Sequence, residues 1–276
     1  MLHLRAGLAV RELAGRGRGV VALQALSAGS VLLNCTPMAQ VLKTPKVQGT
    51  CSQCLSVTEA AAAGTNYLCS SDCVSLYNEG GGPLLERLNL APLKQQLHGR
   101  NFPLLVASLL ASLLADLKAG RPPQDWEPLQ LCFAELDAEA TPQLEAEHKL
   151  LLHAFMEAGI ATQSTLELLM PASRYRRLVG ACSLNAFELT LSHGARVSAL
   201  LPGVVSCFNH SCDPNVLIRL ESSHHVSFEA SSSLAAGEEL CISYVDLNAS
   251  CEDRRHMLLS KYAFECDCLR CQAEAR

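Results

Sequence analysis

Asn209-His210-Ser211-Cys212-Asp213-Pro214-Asn215 is the stretch on which the reading of this chain turns. Asp-Pro followed by Asn favours a turn, since proline presets φ and the short polar side chains close hydrogen bonds onto nearby backbone. Just ahead of the turn stand an amide, an imidazole, a hydroxyl and a thiol on four consecutive residues. Alone, the run reads equally well as a self-satisfied polar turn or as part of a site. Its neighbours decide.

Upstream lies Ser183-Leu184-Asn185-Ala186-Phe187. Downstream come Gly237-Glu238-Glu239-Leu240-Cys241-Ile242-Ser243-Tyr244 and then Tyr262-Ala263-Phe264-Glu265-Cys266-Asp267-Cys268-Leu269-Arg270-Cys271. Around these motifs the chain alternates in character. Residues 8 to 42 carry short apolar runs (Leu8 to Val10, Val20 to Leu23, Ser30 to Leu33) between glycine-rich turns, which predicts short strands. Gly80-Gly81-Gly82-Pro83 reads as a linker, and from Leu84 to about Leu178 leucine and alanine recur at helical spacing, broken at Pro92, Pro122-Pro123 and Pro142. From Gly180 the pattern returns to strands, with Val204-Val205, Val216 to Ile218, Val226 to Phe228 and Leu240 to Ile242 as candidates, and Glu252 to Tyr262 as a closing helix. No internal repeat is visible. The class expected is α+β: a fold of short strands interrupted by a zinc module and a helical insert.

Composition narrows the possibilities. With 276 residues, 49% of them hydrophobic, the chain can bury one sizeable core or two modest ones. A net charge of -5 without a long Lys/Arg run argues against nucleic-acid binding by bulk charge. The longest apolar stretch, Pro103 to Leu117, is broken by Ser108, Ser112 and Asp116. It falls short of the roughly 20 apolar residues a bilayer span needs, so a buried helix is predicted. No signal-peptide pattern is present, and an intracellular monomer in the nucleus or cytoplasm, acting on neither membrane nor nucleic acid, is expected.

Fourteen cysteines without a secretory signal point to metal rather than disulfides. Seven fall in tight spacings: Cys51-x-x-Cys54, Cys69-x-x-x-Cys73 and Cys266-x-Cys268-x-x-Cys271. The first two pairs suffice for one four-thiolate zinc site, whereas the last group is one ligand short. Cys35, Cys132, Cys182, Cys207, Cys241 and Cys251 read as buried or incidental thiols. His224-His225 reads as exposed, Glu238-Glu239 as a turn, and Arg254-Arg255 as facing solvent or paired with a nearby carboxylate.

Five motifs in this order, from Gly15 to Cys271, resemble those of the SET-domain lysine methyltransferases, and within them the SET-and-MYND (SMYD) branch. The resemblance implies a SET fold and methyl transfer from S-adenosylmethionine to a lysine of a protein substrate, histone or not. It implies that Gly17-Arg18-Gly19 lets backbone approach the cofactor, that Asn185, Asn209 and His210 hold it, and that Tyr244 is the catalytic tyrosine. Tyr262 and Phe264 would line the lysine channel and cover the cofactor. Each assignment has a plain structural rival: an ordinary turn for the glycines, a strand-end cap for Asn185, core packing for the two aromatics. The resemblance also makes Cys212 the fourth ligand to Cys266, Cys268 and Cys271, so that two structural zinc sites are expected.

Two departures from the branch stand out. A full MYND module interleaves two zinc sites, but residues 55 to 68 hold no cysteine and neither His nor Cys follows Cys73 until His98. A one-zinc half-module acting as a structural prop is therefore expected. The chain also stops five residues after Cys271, short of the C-terminal helical domain of many relatives, so a more open cleft is expected. The division expected is 1–48 and 179–247 for the SET parts, 49–79 for the zinc module, 80–178 for the helical insert and 248–276 for the post-SET zinc segment. The rival function is a catalytically silent SET-fold, zinc-binding interaction module; a zinc-scaffold adaptor is a third class. A silent module has no need of Asn185, Asn209, His210 and Tyr244 together, which favours the enzyme.

Overall fold

The structure is a computed structural model that describes residues 7–43, 48–57, 67–122, 141–191, 193–220 and 225–274. At the N-terminus, β1 (Leu8–Leu13) and β2 (Gly17–Ala22) form an antiparallel hairpin in register Leu13 with Gly17. Its turn needs glycine: Gly15 and Gly17 have φ of 73° and 66°, where an L side chain is strained. Two more strands, β3 (Val31–Cys35) and β4 (Ala39–Leu42), precede a run of helices. These are α1 (Ser71–Glu79), α2 (Gly82–Glu86), α3 (Ala91–Gln96), α4 (Phe102–Lys118), α5 (Thr141–Glu157), α6 (Gln163–Leu169) and α7 (Ala172–Asn185). The chain then returns to strands with β5 (Ala186–Thr190), β6 (Arg196–Leu200), β7 (Asn209–His210), β8 (Val216–Leu220), β9 (Val226–Ala230) and β10 (Glu239–Ile242). It closes with α8 (Cys251–Tyr262) and α9 (Leu269–Glu274).

Among the described residues the strands form three small sheets, in orders β1-β2-β10-β7, β3-β9-β8 and β4-β6-β5. Each sheet joins a hairpin to strands distant in sequence, so residues from both ends of the chain meet in one sheet. One apolar core lies among the strands, with Val20, Leu32, Phe208, Phe228 and Leu240 fully buried. A second lies among the helices around Leu105, Leu110, Leu151 and Phe155. The β4-β6-β5 sheet joins them, since Ala39 and Leu200 pack on the helical core while Val197 and Ala199 pack on the other. α4 is apolar on nearly every face and correspondingly buried, as the sequence predicts. Among the described residues no helix is long and apolar enough to cross a membrane.

Three expectations need correction. Gly80 to Pro83 is no loose linker: Gly81 caps α2 with φ 78°, and a Cβ there would lie 2.5 Å from the Ala111 carbonyl of α4. Val204-Val205 is not a strand but part of a 3-10 turn, Gly203–Cys207. That short turn brings Phe208 into the core just before β7. Finally, α7 continues past Leu178 to Asn185, so Asn185 ends a helix rather than a strand. Cys132 and His224 lie outside the described residues.

Candidate functional site

The two-residue strand β7 is where the site is assembled. It runs parallel to β10, Asn209 beside Cys241 and His210 beside Ile242. On one side Asn209 reaches the hairpin turn: its Nδ2 donates to the Arg18 carbonyl at 3.1 Å and to Glu239 Oε1 at 2.7 Å. Both amide hydrogens are thus committed, and what Asn209 has to offer a ligand is its Oδ1 acceptor. Gly19 permits this approach, since a Cβ there would lie 3.0 Å from Asn209 Nδ2 and 2.3 Å from Leu13 Cδ1. The structure therefore brings Arg18, Gly19 and Asn209 together, with Gly17 at the start of the same strand. Asn185 sits buried at the α7–β5 junction, donating to the Ala181 carbonyl at 2.8 Å.

His210 connects this half to an aromatic group. Its ring is buried; burial, then the nearby Arg16 and Arg254 charges, hold its pKa down to about 4, so it is neutral at physiological pH. Nδ1 accepts from the Tyr244 backbone N–H at 3.0 Å, and Nε2 lies 3.2 Å from Cys212 Sγ. The rings of His210 and Tyr244 lie 5.4 Å apart, those of Tyr244 and Tyr262 4.8 Å apart, and Phe264 meets Tyr244 edge-on at 6.5 Å. The Tyr244 hydroxyl donates to the Phe208 carbonyl at 2.7 Å. Tyr244, Tyr262 and Phe264 are all half-buried, which leaves ring surface facing outward from the cluster.

The described residues hold two four-cysteine groups, one of which adjoins His210. Cys212, Cys266, Cys268 and Cys271 form one and Cys51, Cys54, Cys69 and Cys73 the other, each with its sulfurs within 4.8 Å of one another. Zinc at about 2.3 Å from four tetrahedral thiolates would separate them by about 3.8 Å. The sulfur pairs found, 3.5 Å for Cys212–Cys271, 3.9 Å for Cys212–Cys266, 3.4 Å for Cys54–Cys69 and 3.5 Å for Cys69–Cys73, fit such an ion. Burial alone would raise the Cys268 and Cys51 thiols, yet surrounding backbone N–H groups bring each down to about 7. Each group thus has one sulfur whose surroundings favour the thiolate, the form that binds metal. The Ser70 hydroxyl caps α1 by accepting from the Cys73 N–H and so fixes the last ligand of the N-terminal group.

Sequence reasoning missed several residues that hold these parts together. Arg16, at the tip of the hairpin, pairs with Glu239 at 3.1 Å and donates to the His210 carbonyl at 2.9 Å. Glu239 is no mere turn residue: it is the acceptor shared by Arg16 and Asn209. Asn215, quoted for its turn, pins the turn to β10 by accepting from the Cys241 N–H at 2.8 Å. Arg254 and Arg255 do meet the carboxylates expected of them: Arg254, fully buried, pairs with Glu274 and reaches Cys271 Sγ at 3.9 Å, and Arg255 pairs with Glu265 at 3.5 Å. The only signal in sequence was a charged residue beside a motif, which is too common to choose on.

Comparison with known proteins comes to the same region. The model of the SET domain family matches residues 17–245 of the 276. Among curated relatives, histone-lysine N-methyltransferase SMYD3 of Mus musculus is 27% identical over 95% of this chain and 60% of its own length. Histone-lysine N-methyltransferase ATXR4 of Arabidopsis thaliana is 26% identical over 93% of this chain and 83% of its own length. The chain thus spans about 60% of the SMYD-type relatives it matches. A solved SET domain of LSMT, bound to methyllysine and AdoHcy, aligns with 96% of this chain and 54% of its own at 15% identity and a TM-score of 0.45.

Proposed function

The chain belongs to the SET-domain family, and from that premise we propose that it is a protein-lysine N-methyltransferase using S-adenosylmethionine. One observation carries the reading: the strand Asn209–His210 joins a glycine-permitted polar cradle on one side to an aromatic cluster around Tyr244 on the other. A methyl donor and an alkyl amine need those two surroundings side by side. The relatives are named as lysine methyltransferases, which supports the same chemistry here.

S-adenosylmethionine, when bound, supplies an electrophilic methyl group on a sulfonium sulfur. The cradle residues in this reading are Gly17, Arg18, Gly19, Asn185, Asn209 and His210, with Asn209 Oδ1 as the acceptor for a cationic ligand group. Tyr262 and Phe264 wall the passage for the lysine stem and exclude water from the amine. A free lysine, with pKa near 10.4, must lose its proton before it can attack, and an apolar wall disfavours the charged form. Because the Tyr244 hydroxyl gives its hydrogen to the Phe208 carbonyl, its oxygen is left as an acceptor that orients the amine and the methyl hydrogens. Tyr244 acts by alignment, an effect able to lower a barrier by several kcal/mol.

Cys212, Cys266, Cys268 and Cys271 would hold one structural zinc and Cys51, Cys54, Cys69 and Cys73 another. The first pins Tyr262 and Phe264, which precede three of its ligands, against Tyr244. The boundary expected at 178/179 falls inside α7, so we draw the helical insert to Asn185 and keep the other divisions. The partner is a protein with an accessible lysine, in nucleus or cytoplasm.

Calorimetric titration of the zinc-loaded chain with S-adenosylmethionine tests the reading without a known substrate. We expect binding by the parent and at least tenfold weaker binding by Asn209→Ala, which loses Oδ1 and a hydrogen-bonded contact to the hairpin turn. A folded, zinc-replete parent that binds no cofactor would instead favour the silent interaction module.

A further inference from the structure

We propose that the His210 imidazole is a positioning residue that ties the C-terminal cysteine group to Tyr244, making the metal site and the active tyrosine one hydrogen-bonded unit. The inference rests on reading Cys212, Cys266, Cys268 and Cys271 as a zinc site and Tyr244 as catalytic. It goes beyond that reading in assigning the ring a task unconnected with direct contact to the cofactor.

The polarity of the ring follows from its partners. The Tyr244 backbone N–H donates to Nδ1 at 3.0 Å, so Nδ1 is the bare nitrogen. With Nδ1 bare, the ring's hydrogen sits on Nε2, 3.2 Å from Cys212 Sγ. A metal-bound thiolate has no hydrogen to give and accepts readily, so zinc would fix this polarity further. Both ring nitrogens are thereby engaged, and the ring is 3% exposed. A four-thiolate ion is electron-rich, and N–H groups aimed at its sulfurs stabilise it. Arg254 approaches the same group through Cys271 Sγ at 3.9 Å. His210 differs because its second nitrogen fixes the backbone from which the Tyr244 ring and hydroxyl are hung.

Substitutions can separate the two bonds. His210→Phe keeps a ring and removes both. His210→Gln places an amide nitrogen near the Nε2 position, and His210→Asn places a carbonyl oxygen near the Nδ1 position. The full chain is loaded with zinc, and release of metal to a chromogenic chelator is followed alongside the spectrum of the cobalt(II) form. Five tyrosines make a 15N-tyrosine amide spectrum readable, so the Tyr244 N–H can be followed directly.

In His210→Phe one of the two zinc ions is expected to leave about 10- to 100-fold faster, the range for loss of a partner behind a metal ligand. The ion on the Cys51 group keeps its parental rate and serves as the internal control. The thiolate-to-cobalt charge-transfer band of the C-terminal site shifts to longer wavelength, because an unshielded thiolate gives up its electrons more easily. The Tyr244 amide moves in His210→Phe and His210→Gln but is held in His210→Asn. Metal release is slow in His210→Gln and fast in His210→Asn. A His210→Phe protein with parental release, band and amide overturns the link while leaving the zinc and methyltransferase readings intact. Should His210→Phe not fold, parental behaviour of both the Gln and Asn variants in every measurement overturns it equally. A parent that retains no zinc overturns the metal reading and the link together.

Discussion

The Tyr244 hydroxyl has one hydrogen, and the Phe208 carbonyl takes it at 2.7 Å. A phenol so engaged is poorly placed to remove a proton from an amine, and that separates two roles a tyrosine could have in methyl transfer. If alignment is its task, Tyr244→Phe lowers kcat by about 10²-fold, the scale for losing about an ångström of positioning. Cofactor affinity by calorimetry then stays near the parental value. Below the lysine pKa near 10.4, log kcat/KM rises with slope one with pH, because the deprotonated amine gains tenfold per unit. The slope persists in Tyr244→Phe if the tyrosine is no base; its disappearance in the variant would identify Tyr244 as the proton acceptor. The residues proposed for these roles could be singled out because their types are rare in such an order: Asn209, His210, Cys212 and Tyr244 stand within a short span. Arg16 and Glu239 were not legible. They meet only because β2, β10 and β7 become neighbours in one sheet, and no local pattern encodes a contact across most of the chain.

At the scale of elements, sequence pattern works where one period dominates and fails where small residues carry packing. α4 and α8 read correctly because apolar spacing, a proline in the first turn of α4 and the Ser250 cap of α8 all agree. β7 could not be read as a strand, being two residues long and defined only by its neighbour β10. The glycines before α2 misled in the opposite sense, since three in a row suggest slack. Gly81 is there because α2 starts in a left-handed conformation hard against the backbone of α4. Gly120 is a natural comparison: its φ is 65°, and a Cβ there meets nothing within 4 Å. Gly120→Ala should cost only the left-handed strain, about 1–2 kcal/mol. Gly81→Ala carries that strain and a backbone clash besides, so its urea midpoint should fall at least twice as far. Equal midpoints for the two variants would mean that α2 is not docked on α4 as the structure has it.

For the molecule as a whole, the decisive point is that two apolar cores share one sheet while the chain's C-terminal segment packs on a small, cysteine-rich cluster. In the core beside Tyr262 and Phe264 the buried side chains are Leu258, Cys212, Cys266 and Cys271, with Val245 and Leu247 only partly buried against them. Removing metal should therefore loosen this end first and leave the larger cores standing. Thiol chemistry can count the effect, because the fourteen cysteines divide by environment. Cys35 and Cys182 are buried in the two cores, and burial pushes each up to about 12, so they stay protonated and unreactive in the folded chain at pH 8. In the proposed zinc sites the eight cysteines of the two groups are ligands, so removing the metal would free them to react. Titration of the zinc-loaded chain with a disulfide reagent at pH 8 should accordingly gain eight fast thiols when a strong chelator is added. Far-ultraviolet dichroism should change little at the same time, since the helical core lies apart from both groups. Binding of S-adenosylmethionine should be lost in step with the C-terminal thiols, because those ligands carry Tyr262 and Phe264 to the site. A gain of only four thiols would restrict metal to one group, and cofactor binding that survives exposure of Cys212, Cys266, Cys268 and Cys271 would detach the zinc segment from the active site altogether.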